Sequence, residues 1–364
     1  MISGDRLKQA RELQGLTQVE LAKLVDVNQS TIAYIESGRL TPSTELLHAI
    51  AEATKFPVAF FEQEPPSDFP LGSLALFRAR ASVTARQEIQ AHQYGRAVYE
   101  WAGKLARRVT TIPCRLPQLA DEVPERAADI TRAGLGLSPD TPIHDLIHTI
   151  ERAGVLVLAL PLTLERIDAF SLWAGLDSEQ PVVVTLCGAP GDRLRFSVAH
   201  EVGHLVMHRS IRGDISGVEK EADRFAGALL LPESAMRQEL IPPLTLTGLA
   251  ALKRRWRVSM QMQVMRAFDL SIITDRQKRY LFQQFSIRGW RTCEPPALDV
   301  PFEQPRALRQ MTELLYGVPI DYQRLADDVH LPEELVRDVT EAHAGQQEHS
   351  NVIRFPTKPA KSSG

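Results

Sequence analysis

The stretch that most limits what this chain can become is RLRFSVAHEVGHLVMH, residues 193–208. At about 100° per residue, His200 and His204 fall on one face of a helix, a single turn apart. Phe196, Val198, Val202, Leu205 and Val206 surround them with apolar surface, the profile of a buried helix. Two histidines and Glu201 are costly there unless each has a partner. The chemistry that pairs them is metal binding. Neutral imidazoles at this spacing take adjacent corners of a tetrahedral zinc ion at about 2.0–2.1 Å. Glu201 follows the first of them and stands beside the ion without binding it. From there it can take a proton from an ion-bound water as that water attacks a carbonyl.

A catalytic zinc needs a third protein ligand and an open fourth position. The stretch EKEADRFA, residues 219–226, reads as a second helix and supplies the candidate. Glu219 and Asp223 are four apart and share a face. Glu219 can reach the ion while Asp223 accepts the ring N–H of a ligating histidine. Glu221 points elsewhere and stands second as a ligand. His208 lies about 12 Å along the axis from His200, too far for both to touch one ion.

RLRFSVAHEVGHLVMH followed by EKEADRFAGALLLP resembles the ImmA/IrrE family of zinc metallopeptidases, over a region from Leu74 to past Trp290. The resemblance implies a small thermolysin-like core holding one zinc ion, with manganese as the alternative. His200, His204 and Glu219 would be the ligands and Glu201 the general base. It also implies a narrow task, cutting a partner transcriptional repressor in response to stress, DNA damage or mobile-element signals.

Residues 1–62 read as consecutive short helices, the second opening on a Thr17–Glu20 capping box and the third capped by Asn28. Two short helices joined by about three residues fit helix-turn-helix geometry. The run GLTQVELAKLVDVNQSTIAYIESGRLTPS resembles the Cro/repressor-type (XRE) DNA-binding domain over its full length. By position, that resemblance sets Gln29, Ser30 and Tyr34 against base edges and Gln18, Asn28, Thr31 and Arg39 against phosphates. Yet residues 1–56 hold six Lys or Arg against seven Asp or Glu, which is not a basic module. Operator binding would need a homodimer on two half-sites, or help from elsewhere in the chain. A protein-interaction module is the alternative.

Residues 63–73 are a Pro-rich linker. Beyond it, 77–111 reads as one helix carrying Arg78, Arg80, Arg86, Arg96, Lys104, Arg107 and Arg108 against Glu88 and Glu100. Such a run is expected to be a solvated face, with added phosphate contacts as the second possibility. Helices are expected at 116–135 and 143–153. Strands are expected at 155–160, 169–174 and 181–186, and 168–173 is the favoured edge for an extended peptide. Residues 74–244 would form the peptidase domain. Residues 245–343 would form a helical region, with helix-turn-helix spacing at RRWRVSMQMQVMRAF but a Met- and Val-rich second helix that speaks for packing. The polar residues 344–364 are expected to be disordered. The fold class expected is mainly α, of the α+β kind.

A net charge of −3 demands no nucleic acid globally. Cys114, Cys187 and Cys293 are odd in number and far apart, which suits a reducing bacterial cytoplasm. No signal peptide or membrane span is expected, and hence no membrane partner. The partners expected are operator DNA and a protein substrate, itself a helix-turn-helix repressor. The chief alternative is an XRE-type regulator, antitoxin or phage-defence regulator whose zinc site is structural or sensory. Against it, a structural site has no use for Glu201, and closed structural sites usually contain cysteine.

Overall fold

The computed structural model describes residues 2–65, 69, 84–163, 167–175, 177, 179–209 and 215–344. Most of the Pro-rich linker, the start of the 77–111 stretch with Arg78 and Arg80, and the tail beyond 344 lie outside the described residues. The fold is mainly α with one small sheet, as the periodicities imply.

Five helices open the chain: α1 Gly4–Leu13, α2 Gln18–Leu24, α3 Gln29–Glu36, α4 Thr44–Thr54 and α5 Val58–Phe61. The α2 capping box forms in both directions between Thr17 and Glu20. Asn28 stands at the N-cap position of α3, but its side chain makes no cap hydrogen bond and is exposed. Leu7, Ala10, Leu21, Ile32, Ile35 and Ile50 close the domain's core.

The next helix, α6 (Ala85–Ala106), corrects the reading of the basic run as a solvated face. Ala91, Gly95, Val98, Trp101, Ala102 and Leu105 are buried, and the charges between them are spent on neighbours. Arg96 pairs with Asp5 at 3.2 Å, and Glu100 pairs with Arg6 at 2.6 Å. Gln93 donates to Glu12 at 2.7 Å, and Gln90 donates to the Leu13 carbonyl at 2.9 Å. Arg86 reaches Glu20 at 3.3 Å. Lys104 donates to the Val329 carbonyl at 2.8 Å, and Arg108 donates to the Tyr316 hydroxyl at 3.1 Å. Thus α6 is an internal spine that ties the first domain, through Arg86, Arg96 and Glu100, to the C-terminal helices, through Lys104.

Then come α7 (Pro124–Gly134), α8 (Leu146–Glu151), and strands β1 Leu156–Leu160, β2 Ala169–Ala174 and β3 Gln180–Leu186. A single helix over 116–135 does not form. Pro117 and Pro124 push the residues before them toward extended backbone, so α7 begins with Pro124 in its first turn. The strand order is β1–β3–β2, β1 parallel and β2 antiparallel to β3.

The two-residue period of the strands splits the molecule into two cores. Leu158, Leu160, Phe170, Leu172, Val182 and Val184 face α6, and that core runs on without a break into the first domain. Val157 and Val183 face the other way, towards α9 (Gly191–Met207) and α10 (Ile215–Leu230). Ser171 pairs with Val183 in the ladder, so it shares the α9 side.

The rest of the chain is α11 (Glu233–Glu239), α12 (Leu246–Trp256), α13 (Met260–Asp269) and α14 (Asp275–Ile287), then α15 (Ala307–Tyr316), α16 (Tyr322–Val329) and α17 (Glu333–Ala342). Packing divides it. From α12 to α14, Leu249, Trp256, Met260, Val264, Leu281 and Phe285 buttress the α9–α10 core. From α15 to α17, Leu308, Met311, Leu325, Val336 and Val339 join the core around α6. Between the two groups, Glu303 enters the interior, pairs with buried Arg195, and accepts the amides of Leu146 and Ile147 at 2.8 and 3.1 Å. One carboxylate thereby caps α8 and neutralises the cation at the base of α9, as a buried charge requires.

Candidate metal centre

Along α9, Phe196, His200 and His204 stand one turn apart. On α10, Glu219 and Asp223 do the same. The helices come close because Gly203 carries no side chain. A Cβ there would lie 3.0 Å from the Phe225 ring, so even an alanine would require that ring to give way by a few tenths of an ångström. Close approach at one glycine is what lets the two rows meet.

They meet at three groups. The Nε2 atoms of His200 and His204 are 2.9 Å apart, and the Glu219 carboxylate lies 3.4 Å from the first and 3.3 Å from the second. In a tetrahedral zinc site the ligand atoms stand about 3.3 Å from each other, the separation that bonds of about 2.0–2.1 Å impose. These three residues are the group whose ligand atoms all fall within 4.8 Å of one another. Both imidazoles are buried, whereas the Glu219 side chain is 23% exposed.

Hydrogen bonds on the far side of each ring decide where the lone pairs point. His200 Nδ1 is 2.8 Å from Asp223 Oδ1, so the carboxylate takes its N–H and leaves Nε2 as a donor of electrons. For His204 the partner is His208, Nδ1 to Nδ1 at 3.0 Å. His208 Nε2 lies 3.0 Å from Glu221 Oε2. A carboxylate can only accept, so His208 donates from Nε2, accepts at Nδ1, and leaves His204 to donate from its own Nδ1. Burial holds the His208 ring below the ordinary imidazole range, which keeps it in the neutral form this chain needs. Two Nε2 lone pairs therefore converge at 2.9 Å with a carboxylate beside them, and a cation is the species that such a donor set fits.

The electrostatics of the three groups favour positive charge between them. Burial opposes charge on His200, but hydrogen bonds to Asp223 and Glu219 outweigh it and push the ring up to about 9. Burial likewise opposes the Glu219 charge, and the two histidines override it and hold the carboxyl well below its usual range.

Glu201, the residue expected to be the base, is buried on the β2 side of α9. Its Oε2 accepts from the Ser171 hydroxyl at 2.7 Å. Two sites of support were missed in the sequence, namely Ser171 and the His208–Glu221 pair. For the second the signal was there, since His208 repeats the four-residue step from His204 and Glu221 lies two residues from both Glu219 and Asp223. For Ser171 no local pattern existed.

On the first domain, Gln29 Nε2 donates to Gln18 Oε1 at 2.6 Å, and Gln18 donates to Glu36 at 2.7 Å. Arg11 anchors Glu36 at 2.5 Å. Asn28, Gln29, Ser30, Tyr34 and Arg39 are exposed, while Gln18 and Thr31 are half-buried. The face of α3 is thus open, and its first turn is fixed to α2.

Comparison with known proteins divides the chain in the same order. Residues 7–61 match the family model for a helix-turn-helix, and residues 150–268 match that of the IrrE N-terminal-like domain, peptidase family M78. An uncharacterized HTH-type transcriptional regulator of Archaeoglobus fulgidus is 44% identical over 46 residues, covering 13% of this chain and 66% of that protein. One from Methanothermobacter thermautotrophicus is 47% identical over 47 residues, covering 13% and 68%. The chain thus spans about two thirds of these relatives, and the matches cover 13% of it. The crystal structure of Bacillus thuringiensis PlcR in complex with the peptide PapR7 and DNA aligns over 93% of this chain and 91% of that one. Identity is 14% and the TM-score 0.17, too low to carry an argument.

The hydrogen-bond chain from His204 makes its own prediction. Replacing His208 with Ala, or Glu221 with Gln, should weaken zinc binding about 10- to 100-fold, as loss of ligand support does elsewhere. Competition with a chromophoric chelator measures it. Unchanged affinity in both variants would show that His204 needs no such support.

Proposed function

Because this chain joins a helix-turn-helix transcriptional-regulator domain at residues 7–61 to a domain of the IrrE-like peptidase family at 150–268, we propose that it is a zinc-dependent endopeptidase brought to its target by DNA. The observation that carries this reading is the convergence of His200, His204 and Glu219, with Glu201 alongside and bonded to the neighbouring strand. His200, His204 and Glu219 hold the ion, with Asp223 and His208 setting the two rings. A bound zinc ion supplies a water of lowered pKa and polarises the carbonyl to be cut.

The chain's own residues do the rest. The Glu201 carboxylate takes the proton of the attacking water and hands it to the leaving amine. Ser171 holds one oxygen of that carboxylate, so the base enters the reaction already oriented. Among the described residues β2 pairs only with β3. Its outer edge offers backbone groups to an extended peptide running past Glu201. The substrate is a protein, a helix-turn-helix repressor cut at an exposed loop, and the response is to stress, DNA damage or a mobile element.

The open face of α3 favours operator DNA as the second partner, read by Gln29, Ser30 and Tyr34 with Gln18, Asn28, Thr31 and Arg39 on phosphates. A homodimer on two half-sites supplies the affinity that so few cations cannot. No described helix is long and apolar enough to cross a membrane, and a bacterial cytoplasmic setting accords with three free cysteines. The first domain's docking on α6 favours one further reading. In it the chain is a regulator whose metal site is structural or sensory and is felt through the shared core.

Glu201→Gln separates the two. The variant should keep its zinc but lose cleavage of its repressor substrate by at least about a hundredfold, the scale of general-base catalysis. Undiminished cleavage would remove Glu201 from the chemistry. Gln29→Ala should weaken operator binding by about 1–3 kcal/mol at fixed salt, the worth of one bidentate base contact. Equal affinity would mean that α3 does not read bases through that residue.

A further inference from the structure

A second row on α9 repeats every four residues: Arg193, Ser197, Glu201 and Leu205. It faces β2, and each of its turns is tied to that strand. Asp168, just before β2, accepts Arg193 Nε and Nη2 at 2.7 and 2.5 Å and the Ser197 hydroxyl at 3.2 Å. Ser171 donates to Glu201 Oε2 at 2.7 Å. The Trp173 indole donates to the Leu205 carbonyl at 3.2 Å. Helix and strand therefore run side by side in the same direction, joined by three rungs, and Glu201 is on the middle one.

Backbone hydrogen bonds to β3 fix β2 within the sheet, but they do not fix its height over α9. Phe170 and Leu172 turn the other way, toward α6. On the α9 side Ala169, Ser171 and Trp173 remain, and the first two have little apolar surface to bury. Side-chain links must do the holding there. The Asp168–Arg193 pair is the strongest of them by its chemistry, two parallel hydrogen bonds between a guanidinium and a carboxylate. The Asp168 side chain is only 8% exposed, so its charge depends on these partners. Arg193 is 54% exposed and can turn to solvent if the link is cut. The Asp168 carbonyl keeps the Leu186 N–H at 2.8 Å whatever side chain it carries.

We propose that Asp168 is a positioning residue: through Arg193 and Ser197 it sets β2 over α9. It thereby sets the distance from a peptide on the outer edge of β2 to Glu201 and the three metal-site groups. The inference rests on Glu201 being the base and on that edge taking the substrate, and it names what fixes the two relative to each other. Asp168 touches none of the three metal-site groups and acts only through the strand. Ser171 orients the carboxylate of Glu201 but cannot hold the start of the strand, three residues away. A misplacement of about 1 Å costs about a hundredfold in rate, so a link that removes play from an edge strand is felt at the reacting bond.

Two hydroxamates test this without cleavage, titrated calorimetrically into the zinc-loaded full chain. Acetohydroxamate reaches the ion alone. N-acetyl-trialanine hydroxamate must also lay its backbone along β2, and the wild type should bind it the more tightly. Asp168→Asn should weaken the tripeptide probe about tenfold, the scale of one charge-assisted hydrogen bond, with zinc content and acetohydroxamate binding unchanged. Arg193→Gln cuts the same link from its exposed end, should give the same split, and serves if the first variant does not fold. A tripeptide affinity that survives both substitutions would overturn the proposal, and so would an equal loss for both probes, the mark of a merely structural pair. A wild type that binds both probes equally would overturn the strand edge as the peptide's seat and the proposal with it. A chain that takes up no zinc would overturn the metal centre as well.

Discussion

The contact between α9 and α10 at Gly203 and Phe225 is the constraint on which the rest depends. It brings two helical rows of polar side chains within hydrogen-bond reach inside an apolar core. The histidines come from one helix and the carboxylates from the other, so neither helix forms a site alone. Each ring is held at its back. Asp223 does this directly for His200, and Glu221 does it through His208 for His204. Three carboxylates within five residues of α10 therefore have three separate tasks, and the same helix spacing that separates them makes the division possible.

The sheet is the second organising device. Each residue of β2 commits to one of two cores, Phe170 to the one shared with α6 and the first domain, Ser171 to the one that contains Glu201. A displacement of α6 would press on the strand that holds the Glu201 carboxylate. The first domain is tied to α6 by Arg96–Asp5, Arg6–Glu100 and the glutamines between them, and is not a bead on a string. Part of its charge balance is set against its own chain.

Much of this was legible beforehand, and the reasons are physical. The helix of His200 and His204 and the helix of Glu219 and Asp223 are long and strongly periodic. The strands at 155–160, 169–174 and 181–186 are short Val- and Leu-rich runs between turns. The capping box at Thr17 is a local device. Each of these signals lies within a few residues of itself. Most of the failures involve distance in the sequence. Arg96 and Lys104 read as solvent-facing because their partners, Asp5 and the Val329 carbonyl, stand far away in the chain. Ser171 is an ordinary strand residue until α9 packs on it. The bond of His208 to His204 depends on where Glu221 arrives from another helix. At 116–135 two prolines outweighed a helical pattern.

The central claim is that two imidazoles and one carboxylate from separate helices hold a zinc ion with one position left over. Zinc K-edge X-ray absorption on the purified full chain tests it most directly. The account predicts one zinc per chain in a shell of nitrogen and oxygen at about 2.0 Å, with the outer scattering of two imidazoles that falls to one in His204→Ala. A chain purified without metal, or a zinc whose shell contains sulfur at about 2.3 Å, would contradict it.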